Sequence, residues 1–272
     1  MKFGILQGRL SKATNNIVQC FPVDTWQDEF KIANELGLIR IEWLFDNYSK
    51  FNNPIFSIEG RKRIHELKSK YFIEIDSLCA DYFRDNPLKN LKEITRTNLF
   101  ADYLKLLEAC EIVGIKTLMV PYVDYSKIIT DQELEEVIEV LEELAKISSD
   151  YSINISLETN LNPIKYEYLI KKVNSRFLKI NYDSGDSASL GYNVEEEFKR
   201  LSSFFIQIHI KDRIKNGGSV PLGNGDCNFK KLFTLFKEYK LNIPLNLQTA
   251  RELDPIYNTK KNIEFLRKYS FE

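Results

Sequence analysis

Short apolar, strand-like runs alternate with segments of helical period eight times over along this chain. The strand-like runs fall at 2–7, 38–45, 74–81, 116–123, 153–160, 178–183, 205–212 and 243–250. The helical segments fall near 24–36, 57–70, 92–113, 131–149, 164–174, 194–203, 228–240 and 255–269. Local signals support several boundaries: Asp24 and Gly37 can start and stop the first helix, and Gly114 ends the third. Thr130 and Glu133 form a capping box ahead of the fourth. Parallel strands need crossover connections, and eight strand–helix repeats suffice to close a sheet on itself. The pattern predicts an α/β fold, a (β/α)8 barrel in a single domain over 1–272. The length of 272 residues fits one such barrel, typically about 250 residues, and no Pro/Gly-rich linker divides it.

Composition narrows the function classes. Hydrophobic residues make up 43% and charged residues 28%, ordinary for a globular chain with a sizeable core. A net charge of −1 gives no general attraction to nucleic acid or anionic membrane. The cysteines Cys20, Cys79, Cys110 and Cys227 lie far apart without a CxxC pair, against a disulfide framework or thiolate zinc site. The N-terminus MKFGILQGRL runs straight into a strand, unlike a signal peptide, and no apolar run reaches membrane-spanning length. The expectation is a reduced, cytoplasmic protein with no nucleic-acid or membrane partner.

Four late strands each end on a side chain able to ligate a metal: Glu158 in ISLETN, Asp183 in KINYDSGD, His209 in FIQIHIKDR and Gln248 in IPLNLQTA. They stand about 25 to 40 residues apart, one repeat each, so they belong to the fifth through eighth strands. Catalytic groups of such barrels sit at the C-terminal strand ends, where adjacent strands let these four converge. Any one alone is more often a helix cap or a structural histidine. Four on consecutive strands predict a site, because buried carboxylates without a compensating cation are costly. Oxygen and imidazole donors without thiolate suit a hard or borderline divalent ion, with Mn2+, Co2+, Mg2+ and Zn2+ all admissible.

Side chains alternate along a strand between lumen and helix layer. Ser156, Glu158 and Asn160 share one face, as do Gln207, His209 and Lys211, and Asn246 and Gln248. Gln7, Arg9, Asn160 and Lys211 are candidates to hydrogen-bond substrate hydroxyls. Arg251, just past the eighth strand, can hold a phosphate or carboxylate or pair with Glu252 or Asp254. Glu42, in IEWLF of the second strand, can act as an acid or base across the barrel or form a structural ion pair. His65, in RKRIHELKSK, reads as a surface residue. Loops after strands are mostly the longer ones. Segments 9–23 and 46–56 lie on the site face, and 212–228, with four glycines, reads as a flap or a plain surface loop.

With these residues in place, the chain resembles, over nearly its whole length, the xylose-isomerase-like TIM barrels. These form the sugar phosphate isomerase/epimerase superfamily, which includes tagatose and psicose 3-epimerases, hydroxypyruvate isomerases, inosose dehydratases and endonuclease IV. GRLS, QCFPVDTWQDEF, IEW, HIKD and PLGNGDCNF carry the resemblance to one of its subgroups. It implies a divalent metal held by Glu158, Asp183 and His209, with Gln248 where the family usually has glutamate. An amide oxygen still ligates but moves no protons, which puts two-base epimerisation in doubt.

The leading expectation is a metal-dependent isomerase or epimerase of a small keto sugar or sugar phosphate, working through an enediolate. Glu158 would be the base and Glu42 or water its acid partner. A sugar or polyol dehydratase on the same barrel needs one base and is the alternative. A non-catalytic sugar-binding barrel ranks below it, as does a DNA-repair endonuclease, which needs more than two histidines. The resemblance also allows a homo-oligomer.

Overall fold

A computed structural model describes residues 2–13, 17 and 19–270 and shows a closed barrel of eight parallel strands ringed by helices. The barrel strands are β1 (Phe3–Leu6), β2 (Arg40–Leu44), β3 (Ser77–Cys79), β4 (Thr117–Tyr122), β5 (Asn154–Thr159), β6 (Leu178–Asp183), β7 (Phe205–Ile210) and, last, β10 (Leu245–Leu247). A two-stranded hairpin, β8 (Asp212–Arg213) with β9 (Ser219–Val220), stands between β7 and β10. Neighbours around the barrel follow sequence order, and β10 closes it against β1. The single-domain (β/α)8 fold expected from the alternation is the fold observed.

The helix layer explains why these segments hold. Helix Asp131–Asp150 buries Leu134, Val137, Ile138, Leu141, Leu144 and Ala145, a stripe at three- and four-residue spacing that lies against the sheet. Its capping box is formed by Thr130 and Glu133. On β2, Trp43 points outward, packs 5.3 Å from Phe21 and 5.5 Å from Trp26, and donates from Nε1 to Asn53 at 3.0 Å. That outward placement turns the intervening Glu42 into the lumen. At the β6–β7 side, Phe198 lies within 5.8 Å of the rings of Tyr182, Phe205, Phe236 and Tyr239.

Boundaries differ from expectation where local and tertiary signals diverge. The first helix is Asp28–Glu35, and residues 23–27 form turns, so Asp24 does not cap it. Gly37 does take a positive φ just beyond its end. The runs at 74–81 and 243–250 contain strands of only three residues each, flanked by single backbone bonds such as Ala80 to Met119 and Gln248 to Ile210. A helix at Ser184–Leu190 directly follows β6 and was not expected. Segment 212–228 is braced: Asp212 accepts from the backbone amides of Gly223, Gly225 and Cys227 at 2.8–3.0 Å.

Candidate metal centre and active site

Strand register brings the expected side chains together. Asp183 on β6 is the direct neighbour of His209 on β7, and Glu158, next to last on β5, lies beside them. One ligand atom from each of Glu158, Asp183 and His209 lies within 4.8 Å of the other two. All three residues are buried, and Gln248, just past β10, is 4% exposed. The cluster sits at the C-terminal mouth of the barrel, beneath a cavity of about 390 Å³. Glu158, Gln248, Lys211, Arg9 and Gln19 line that cavity, with Arg213 and the hairpin residues Gly218 and Ser219 at one side. Its size is in the range of small-molecule sites.

Each ligand candidate is held in place. Asp183 divides its oxygens: Oδ1 accepts from the Asp186 amide at 2.8 Å, capping the helix it precedes. Oδ2 lies 3.9 Å from His209 Nδ1 and 3.4 Å from Lys211 Nζ. The same residue therefore serves as helix cap and as candidate ligand. His209 Nε2 lies 2.7 Å from Glu42 Oε2, and the other Glu42 oxygen accepts from Gln207 Nε2 at 2.8 Å. An Nε2–H directed at Glu42 leaves Nδ1 facing Glu158, at 3.1 Å, and Asp183. This is the carboxylate–histidine pairing that orients imidazole ligands in metal sites. Asn181, two residues before Asp183 on the same strand face, bridges Glu158 at 2.5 Å and His209 Nδ1 at 3.0 Å.

The electrostatics call for a cation. Burial opposes the His209 imidazolium, yet Glu42 and Glu158 outweigh it and hold the ring well above its usual value. Burial, followed by repulsion from Asp186, raises Asp183. Burial disfavours the Lys211 ammonium, but Asp183 and Asp186 more than offset this and raise it. The carboxylates of Glu42, Glu158 and Asp183 around the ring provide the kind of negative field that favours a divalent ion. The donor set fits one. Two carboxylates and an imidazole face each other, and Gln248 Oε1 is a buried oxygen without a protein partner among the described residues.

The remaining expected residues fall in different places. Lys211 lines the cavity, and so does Arg9, whose Nε donates to the Thr249 carbonyl at 2.9 Å. Gln7 is fully buried and accepts from the Leu44 amide at 3.1 Å, bracing β2 below the cavity. Asn160 is tied to the backbone of Ile128 through both ends of its amide, at 3.0 Å each, and faces that loop. Arg251 reaches back to the Gly8 carbonyl and does not line the cavity. Glu42 lies fully buried behind His209 with both oxygens engaged, away from the open cavity. His65 is exposed, as its charged surroundings indicated.

Asn181, Gln19 and Asp81 were not singled out from the sequence, and Gln207 was placed on the lumen face without a role. For Asn181 and Gln207 the signal existed, since each lies two residues before a ligand candidate and so shares its strand face. Asp81 ends the third strand-like run, two residues after Cys79, so its place at the mouth was also signalled, whereas Gln19 reaches the site from a loop whose approach no periodicity encodes.

Comparisons with known proteins bear on the fold and the family. Inosose dehydratase of Mesomycoplasma hyopneumoniae, from strains 7448 and 232, is 25% identical over 246 residues, covering 78% of this chain and 81% of the relative. Among solved structures, the IolI protein with a bound zinc atom superposes with a TM-score of 0.77 at 18% identity, covering 99% of both chains. D-psicose 3-epimerase of Clostridium cellulolyticum H10, solved with D-tagatose, gives 0.76 at 14% identity, covering 99% of both. At those identities the two structures speak for the fold. The family described as xylose isomerase-like TIM barrel matches residues 23–269, and the chain belongs to that family.

Proposed function

We propose that the protein is a divalent-metal-dependent enzyme that removes a proton next to the carbonyl of a small keto sugar or keto polyol and then eliminates water. Glu158, Asp183, His209 and Gln248 would hold the ion, which supplies Lewis-acid polarisation of the carbonyl when bound. The observation that carries this reading is the placement of the carboxylates. Of the cluster's carboxylates, Glu158 lines the cavity and Asp183 does not, Glu42 is sealed behind His209, and position 248 offers an amide. Two-base epimerisation needs a second proton carrier on the opposite face, and these residues supply one carrier. A single carboxyl suffices for elimination: Glu158 takes the carbon-bound proton and returns it to the departing hydroxyl, which leaves as water. Lys211, cationic beside Asp183, can stabilise negative charge on a substrate oxygen. Among the described residues, four aspartates also line the cavity: Asp81 and Asp85 are paired with Arg84, Asp186 is paired with Arg213, and Asp124 belongs to the turn after β4. The sequence relatives named as inosose dehydratases support the same outcome.

Isomerisation of a ketose is the second reading, because one carboxyl can also return the proton to the neighbouring carbon. Mass spectrometry after incubation with Mn2+, Co2+, Mg2+ or Zn2+ and a panel of keto-inositols, ketoses and hydroxypyruvate separates them. Elimination lowers product mass by one water, and isomerisation conserves it. Glu158→Gln should keep an oxygen at the cluster but reduce turnover at least about 100-fold. Full activity in that variant, or no conversion of any panel member, would refute the reading.

A further inference from the structure

Gln248 matters to the cluster only through its oxygen, because an amide presents a donor at one end and an acceptor at the other. Which end faces the cluster depends on what the other end meets, and here that is Gln19. Gln248 Nε2 donates to Gln19 Oε1 at 3.3 Å, which leaves Gln248 Oε1 buried and without a protein partner among the described residues. The orientation of Gln19 is itself decided by two groups of fixed character. Arg9, a donor only, gives Nη2 to Gln19 Oε1 at 2.6 Å. Asp81, an acceptor as a carboxylate, receives Gln19 Nε2 at 2.6 Å. Reversing Gln19 would set donor against donor at Arg9 and acceptor against acceptor at Asp81, and would take the acceptor away from Gln248.

The two ends are anchored in turn. Arg84 donates to Asp81 Oδ2 at 3.0 Å, so the oxygen that receives Gln19 is also held in place by a guanidinium. Arg9 follows Gly8, whose φ of +87° turns the chain, and a side chain at Gly8 would meet the Cys20 carbonyl at 2.8 Å. Glu29 then pins the turn by accepting from the amides of Gly8 and Leu10 and from Ser11 Oγ. Arg9 is thereby fixed by covalent neighbours as well as by its bond to the Thr249 carbonyl.

We propose that Arg9, Gln19 and Asp81 form an orienting chain that makes Gln248 an oxygen ligand, with Gln19 as the positioning residue for the fourth coordination position. The proposal rests on the metal reading above and adds to it the means by which an amide replaces a carboxylate. A carboxylate has an oxygen at either end and needs no such orientation. The dependence on Gln19 should therefore vanish when position 248 carries one.

The test is a cycle of four proteins: the parent, Gln19→Met, Gln248→Glu and the double variant. Zinc dissociation constants come from chelator competition, and the visible spectrum of the Co2+ form reports ligand geometry. In the parent background, Gln19→Met should weaken zinc binding about tenfold and alter the Co2+ spectrum, a size usual for partners that orient ligands. In the Gln248→Glu background the same change should cost less than about threefold, and this difference is the coupling between the two positions. Equal losses in both backgrounds would mark a general structural effect and overturn the proposal, as would no loss in the parent. Gln19→Ala, read the same way, guards against a methionine-specific clash, and thermal melts of the metal-free proteins report folding. Glu158→Ala separates the two readings. If it binds zinc like the parent, the metal site itself fails. If it loses zinc while Gln19→Met does not, only the orienting chain fails.

Discussion

The bond between Glu42 and His209 allows a prediction whose size follows from geometry. Both side chains are fully buried, the contact is 2.7 Å, and the second Glu42 oxygen is occupied by Gln207. Glu42→Gln preserves shape and keeps an acceptor for the imidazole, but removes the charge. A hydrogen bond to a charged partner contributes about 1.5–3 kcal/mol and a neutral one about 0.5–1.5, so the substitution should cost about 1–2 kcal/mol. If that difference is expressed in the ligand His209, divalent-metal affinity should fall about 5- to 30-fold. The charge removed also favours the cation, so the loss should appear with any divalent ion. Chelator competition with zinc and manganese measures it, and circular dichroism confirms that the barrel persists. An affinity within about twofold of the parent would refute the argument that Glu42 acts through His209, since the bond itself would then carry too little of the energy.

Two further outcomes test other parts of the structure. Burial pushes the Glu29 carboxyl up to about 7 from 4.5, against the donors of Gly8, Ser11 and Leu10. An acid raised in the folded state binds its proton more tightly there, so its contribution to stability is greatest below about 4.5 and is lost as pH rises toward 7. The loss is bounded at roughly 3 kcal/mol, and Glu29→Gln should flatten the parent's pH–stability curve across that interval, seen as the variant-minus-parent difference in urea unfolding. A difference independent of pH would refute the assignment. Phe198→Ala, which empties a position facing four aromatic rings, should cost about 3–5 kcal/mol in unfolding while leaving zinc affinity unchanged. A cost below about 1 kcal/mol would show that the neighbouring rings close the gap.

The eightfold alternation made the barrel legible, and the spacing of Glu158, Asp183 and His209 made their convergence legible. Strand number and face depend on local periods of two and of about three and a half, which a sequence displays directly. The amide at 248 was equally visible, together with its chemical consequence for proton transfer. Less could be read where a residue's role depends on a partner distant in the chain. Asn160 had the right face and position, but Ile128 from the preceding loop occupies both ends of its amide. Gln7 had the right strand, but the Leu44 amide claims its oxygen.

Sequence alone therefore determined the barrel and the metal-competent side chains at its mouth, because both follow from periodicity and from which atoms a residue carries. Tertiary structure decided that Glu42 stands behind His209 and that Gln19, reaching in from a loop, accepts from the Gln248 amide and leaves its oxygen buried without a protein partner among the described residues. Orientation and access depend on which groups meet across the closed barrel, here Glu42 with a histidine 167 residues away. Spacing along the chain does not carry that information.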